Sequence, residues 1–201
     1  MSAHEHLEHA EHAEHAAHSS KKIALLISVL ALFLACSEML GKSAQTQAIT
    51  DNVASNDLWA FFQAKTIRMA VLITATEQLQ LQAEQASDPD TKARLQKRID
   101  EWKAAVARYD DEPSTNEGRK QLMTRARVLE HSRDLAMARY HNYEFASAAF
   151  QIGIVLASAE VITNMVLLGW LSGLFGAAGL ALTGIGLWAP HALDFLTHSA
   201  H

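Results

Sequence analysis

The sequence predicts an all-α membrane protein with three transmembrane helices and a long helical, coiled-coil-like hairpin between the first and second. Three observations carry that expectation. Residues 23–37, IALLISVLALFLACS, hold no charge, and residues 145–193 hold one, Glu160. Between these regions, residues 42–139 carry 15 of the 17 Lys and Arg against 14 Asp and Glu, so the middle is highly charged but nearly neutral. Only three Pro and nine Gly interrupt the chain, and none lies between Ser43 and Ala86, which favours long helices.

Residues 1–20 read as a disordered His/Glu-rich tail. HEHLEHAEHAEHAAH contains six histidines, and His9, His12, His15 and His18 fall at every third position. Neutral His ligates zinc, copper and nickel, and this period places neighbours on one helix face. A usable metal site also needs fixed geometry and supporting outer contacts, whereas a repeat offers many equivalent weak positions. The four histidines are therefore only speculative metal ligands, and a solvated tail is the default. No cofactor is expected.

Residues 21–41 read as the first transmembrane helix, just long enough at ~1.5 Å per residue to cross a ~30 Å hydrocarbon core. Ser19 and Ser20 offer N-caps, and Lys21 and Lys22 suit the headgroup layer. Residues 42–145 read as a helical stalk. Leu58, Phe62, Lys65, Met69, Leu72, Thr76 and Leu79 alternate steps of four and three, with Lys65 and Thr76 breaking the apolar character. Leu95, Ile99, Trp102, Val106 and Tyr109 keep this spacing, as do Leu122, Ala126, Leu129, Arg133, Ala136 and Tyr140. Such spacing makes a seam along which helices pack. Asp88-Pro89 marks one helix start, and residues 111–117 form a loop with a capping box, Ser114 with Glu117. A long antiparallel stalk interrupted at this loop is expected. A compact three-helix bundle is the alternative, and Gly41 is a candidate hinge.

Residues 146–190 are too long for one crossing and read as a transmembrane hairpin, 146–168 and 172–189. Gly169-Trp170-Leu171-Ser172-Gly173 is the expected turn, Pro190 the stop, and 191–201 a short C-terminal tail. A buried core hairpin needs far less uncharged chain than this.

SEMLGKSAQTQA directly after the first apolar helix and NDLWAFFQAKTIR beyond it lead into a charged helical middle and an apolar C-terminal pair. Together they resemble a bacterial membrane-protein family, domain of unknown function 4337, over nearly the whole chain. The resemblance implies a multi-pass protein of the bacterial inner (cell) membrane. It carries no known activity, cofactor or catalytic residue. The His/Glu tail also looks like tails in that family.

Several motifs fail. Gly41-Lys42-Ser43 lacks the Gly or Ala that a phosphate loop needs five residues earlier, where Cys36 stands, so no nucleotide is expected. Phe33-Leu34-Ala35-Cys36 resembles a lipoprotein cleavage box, but Phe fits poorly and the preceding region is long and acidic. The single cysteine excludes an intramolecular disulfide, and no basic stripe suggests nucleic acid.

Glu38, Gln151, Glu160 and Asn164 are the polar groups expected within the membrane. Rise arithmetic places Glu38 and Gln151 at similar depth, within hydrogen-bonding range. It places Glu160 near the midplane, with Asn164 one turn away. A charge there is costly, so Glu160 reads as interhelical glue, with Thr183 or a second subunit, or as a proton or cation step. Gly169, Gly173, Ala177 and Ala181 recur at every fourth position and predict close helix contact. Trp59, Phe61 and Phe62 suit burial in the stalk or a partner helix.

Two functions follow as expectations. The first is a membrane-anchored structural or interaction protein, partnered by the lipid bilayer and by itself or another protein through the stalk. The alternative is a transport or metal-handling component that uses Glu160 and the His repeat. No nucleophile–base pair points to an enzyme. Flanking charges lean toward a cytoplasmic stalk, while the two lysines before the first helix lean weakly the other way.

Overall fold

A computed structural model describes residues 3–193, with side chains from 21 to 192. Among the described residues there are four α-helices, no strand, and a closing 3-10 turn. The helices are α1 (Ala3–Gln85), α2 (Pro89–Asp110), α3 (Arg119–Thr163) and α4 (Val166–Trp188), and the turn is Pro190–Leu193. Three of them, α1, α3 and α4, are long and apolar enough to cross a membrane.

α1 begins at Ala3, so the backbone of the tail expected to be disordered is helical, in keeping with its Ala and Glu content. Ser19 and Ser20 lie within this helix rather than capping it. The side chains of His9, His12, His15 and His18 lie outside those described. Nor does α1 bend out of helix at Gly41, which is buried where a Cβ would stand 3.4 Å from that of Tyr143. Close approach, not a hinge, is the use of that glycine.

The chain divides into two compact units, one of residues 1–48 and 134–201 and the other of residues 49–133. In the second, α1 offers the face read from the sequence. Leu58, Phe62, Lys65, Met69, Leu72, Thr76 and Leu79 are all buried or half-buried. Their partners rise in number as α1 falls. Thr76 and Gln80 line a cavity with Lys103 and Val106, and Lys65 Nζ stands 3.8 Å from Glu112 Oε2. Arg119 lies 4.9 Å over the Phe62 ring, Trp59 Nε1 donates to Glu130 at 2.8 Å, and Arg133 donates to Asn52 at 3.3 Å. Lys65, which interrupts the apolar row, is only 5% exposed and lies 5.1 Å from the Phe61 ring centre. Its charge is thus partnered where it is buried, as burial requires.

Asp88 caps α2 by accepting from the Thr91 backbone N–H at 3.0 Å, with Pro89 in the first turn. The expected capping box does not form. α3 starts at Arg119, after a turn in which Asn116 takes φ 59°. Gln121 closes the loop instead. It accepts from Glu112 N–H at 3.3 Å and donates to Asp111 at 2.6 Å, while Lys120 stands 3.2 Å from Asp111.

In the first unit, Leu30, Ala146 and Phe150 form the core, with Leu26, Leu34, Ile154 and Leu182 around it. α4 enters this core through small residues. Ser172, Gly176, Gly179 and Gly186 are buried, whereas Gly173, Ala177 and Ala181 are exposed. The packed face is therefore not the fourfold repeat expected from sequence. It is a neighbouring row, completed by the half-buried Thr183, with alternating steps of four and three, and the large partners choose it. A Cβ at Gly179 would lie 2.7–2.9 Å from three Phe150 ring atoms, and one at Gly186 would lie 2.8 Å from Tyr143.

Two predictions follow from this packing. G179A forces the buried Phe150 ring to move and should cost about 1–3 kcal/mol, lowering the thermal midpoint in detergent. G173A, with nothing within 4 Å of its new methyl, should leave that midpoint unchanged or higher. The second concerns acid. Hydrogen bonds from Thr91 hold Asp88 below its ordinary 3.8. The stabilisation is therefore present above that value and lost as pH falls through the lowered one. Hydrogen-exchange protection of the Thr91 amide should drop over that range, and D88A should remove it at every pH.

Candidate functional site

The α3–α4 turn lies several residues earlier than the sequence suggested. α3 ends at Thr163, and Asn164 takes φ 54°, the left-handed conformation that stops a helix. Its N–H still bonds Glu160 O at 2.8 Å, and Thr163 Oγ1 accepts from Met165 N–H at 3.4 Å. Asn is among the few residues that enter this region readily, so no glycine is needed. Gly169 and Gly173 instead lie within α4.

This shift moves two of the expected membrane-depth groups. Asn164 is exposed and forms the turn itself. Glu160 lies in the last turn of α3, not midway along a crossing, yet it is only 8% exposed. Its carboxylate fills the space that a Cβ at Gly169 would take. Thr183 is not its partner, since that hydroxyl donates to Gly179 O at 2.9 Å within α4. Among the described residues no hydrogen bond or ion pair engages the Glu160 carboxylate.

The carboxylate opens instead on a cavity of about 690 Å³ lined by Lys22, Leu26, Glu160, Gly169, Trp170 and Leu174, among others. Three helices build it. α1 supplies Lys22 and Leu26, the end of α3 supplies Glu160, and the first turns of α4 supply the rest. The walls are apolar, and the two ionisable side chains carry opposite charges.

Glu38 and Gln151 do meet, Gln151 Nε2 donating to Glu38 Oε1 at 3.4 Å across α1 and α3, though both are exposed. Nearby, Ser37 donates to Tyr143 O at 3.1 Å, and Ser172 donates to Gly153 O at 2.7 Å, both buried. No group of three or more His, Cys, Asp or Glu gathers among the described residues. Sequence reasoning singled out Glu160 but missed Lys22 and Trp170 as its neighbours. The signal available was Asn164, a helix-stopping residue inside an otherwise apolar stretch, which brings Glu160 and Gly169 together across the turn.

Among the described residues an all-α chain with three helices able to span a membrane, and a carboxylate beside the α3–α4 turn, defines the class of protein. The chain belongs to the family described as Domain of unknown function (DUF4337), which matches residues 19–189. The His repeat lies before the matched segment. No curated protein and no solved structure matches the chain.

The fit of Glu160 against Gly169 predicts coupling between them. G169A should destabilise the protein by crowding the carboxylate, despite the ordinary gain of about 1 kcal/mol for Gly to Ala in a helix. In an E160A background the same change should be neutral or stabilising. Thermal unfolding of the four proteins gives the interaction energy, and additive effects would show that the two positions do not share space.

Proposed function

We propose that this protein is a multi-pass anchor of the bacterial inner membrane whose helical unit at 49–133 associates with a second copy or another protein. Support for the membrane comes from what the apolar helices leave uncovered. Leu25, Leu32, Val155, Ile162, Val166 and Leu187 are all exposed, on α1, α3 and α4 alike. Trp170 and Trp188 are 77% and 85% exposed near the two ends of α4. Their spacing spans ~27 Å of helix, close to a ~30 Å hydrocarbon core with an aromatic at each interface.

Support for association comes from the outer face of α1 in the second unit. Val53, Ile67 and Leu81 recur every 14 residues and are 55–65% exposed. Ile49 and Val71 lie one turn from them and are equally uncovered. Two heptads separate successive members, so all three share one side of a helix that packs with a period of ~3.5. The opposite side is already occupied by α2 and α3. A helix laid along this row in an antiparallel or parallel coiled coil buries it. The carrying observation is this uncovered apolar row in a region otherwise rich in charge.

The transport reading gains less. Glu160 lies one turn from a helix end, where a central proton step has no use for it.

Association is tested by native mass spectrometry of the full chain in mild detergent, with a photo-crosslinking residue at 67 in cells. The expected result is an oligomer or a defined adduct, lost on Ile67→Asp and kept on Lys97→Asp. A monomer without adducts at position 67 sinks the proposal.

A further inference from the structure

The cavity beside Glu160 has features that a purely structural contact does not need. A carboxylate used as interhelical glue meets a donor on a neighbouring helix. Glu160 is more than nine-tenths buried, meets none among the described residues, and faces into about 690 Å³ of space. Its oxygens keep accessible surface on the cavity side, so a cationic or hydrogen-bond-donating group that enters there makes a charge-assisted contact beside an apolar wall.

The rest of the lining narrows the chemistry of that group. Lys22 places an ammonium on the same cavity, which disfavours a simple cation and suits a ligand that also carries an anion. Val166, another lining residue, is the first residue of α4, and Met165 before it provides no side-chain cap. Leu168 N–H is taken by Met165 O at 2.9 Å, and the N–H groups of the first turn that remain favour the same anion. Leu26, Trp170 and Leu174 complete an apolar wall. Trp170 is mostly exposed and stands at the level of Lys22, where a headgroup meets its acyl chains.

We infer that this cavity binds the headgroup of a zwitterionic aminophospholipid, its primary ammonium on Glu160, its phosphate toward Lys22, and its first acyl methylenes against Leu26, Trp170 and Leu174. A primary ammonium offers three N–H donors to the carboxylate, which a trimethylated headgroup lacks. An anionic headgroup without an amine leaves Glu160 unpaired and meets its charge. The apolar walls select a lipid over the free headgroup. Gly169 is the residue that makes room, since any Cβ there occupies the position of the carboxylate.

This assignment rests on the membrane reading above, and the test separates the two. Full-length protein is first fractionated without detergent, and recovery in the soluble fraction refutes the membrane reading and this one with it. Membrane-extracted protein is then exchanged into micelles holding equal amounts of dioleoyl phosphatidylethanolamine, phosphatidylcholine and phosphatidylglycerol. Retained lipid is counted by native mass spectrometry. The wild type should keep phosphatidylethanolamine about tenfold over the other two, the ratio expected from one charge-assisted contact. E160Q should erase this preference, and D57N, in the other unit, should keep it. L174W narrows the cavity from an exposed position with the carboxylate intact, and it should lower retention even if E160Q folds poorly. Millimolar phosphoethanolamine should not displace the lipid. Equal retention of the three lipids by the wild type overturns the assignment, as does a preference surviving E160Q, retention undiminished by L174W, or displacement by the soluble headgroup.

Discussion

One row of residues on α1 organises what the other helices do. In the first unit the buried or half-buried positions 30, 34, 37, 41, 44 and 48 alternate steps of four and three, and in the second so do 51, 55, 58, 62, 65, 69, 72, 76, 79 and 83. A straight helix repeats every ~3.6 residues, so a period of ~3.5 keeps one side of α1 in contact within each unit. Leu30 uses it to meet Phe150's cluster, and Ser37 and Gly41 use it beside Tyr143. Ser55 donates along the same row to Ala126 O at 3.4 Å, and Lys65 turns from it toward Glu112. The side chains are more polar in the second unit, and the period is the same in each. Each partner helix is selected by size or by charge at the level it meets.

α4 answers that row with an absence of side chains. Where α1 and α3 bring Leu30, Phe150 and Tyr143, α4 brings Gly176, Gly179 and Gly186. In an apolar surrounding there is little hydrophobic gain from moving one apolar surface from lipid onto another, so close packing and buried hydrogen bonds carry more of the association. Ser172 adds one such bond, to Gly153 O. The end of α3 follows the same logic with a polar group, since Glu160 folds into the space above Gly169. Size complementarity thus places a carboxylate at the mouth of a cavity whose other charge, Lys22, belongs to α1.

The loop at 111–118 shows how polar side chains replace a missing local signal. Ser114 and Glu117 have the spacing of a capping box, but Asn116 takes a left-handed conformation that leaves them outside the helix. Asp111 is held below its ordinary value first by the Gln121 amide and then by Lys120. Lys120 is correspondingly raised by Asp111 and Asp110. Contacts nine or ten residues apart close the loop, and a motif that spans three residues cannot express them.

The sequence by itself determined the all-α class, the apolar and charged regions, the start of α2 at Asp88-Pro89, and the inward face of α1. Each of these depends on periodicity or on local backbone chemistry. Glu160 and the Glu38–Gln151 pair were legible too, because an ionisable or amide group in an apolar stretch stands out without any structure. Only the tertiary structure decided where α3 turns, which small residues of α4 face inward, and what surrounds Glu160. Glycine permits both a turn and a close contact, and Gly169, Gly176 and Gly179 look alike until Glu160, Leu30 and Phe150 are placed against them. Asn164 tolerates both helical and left-handed backbone, and the turn it makes sets Glu160 against Gly169.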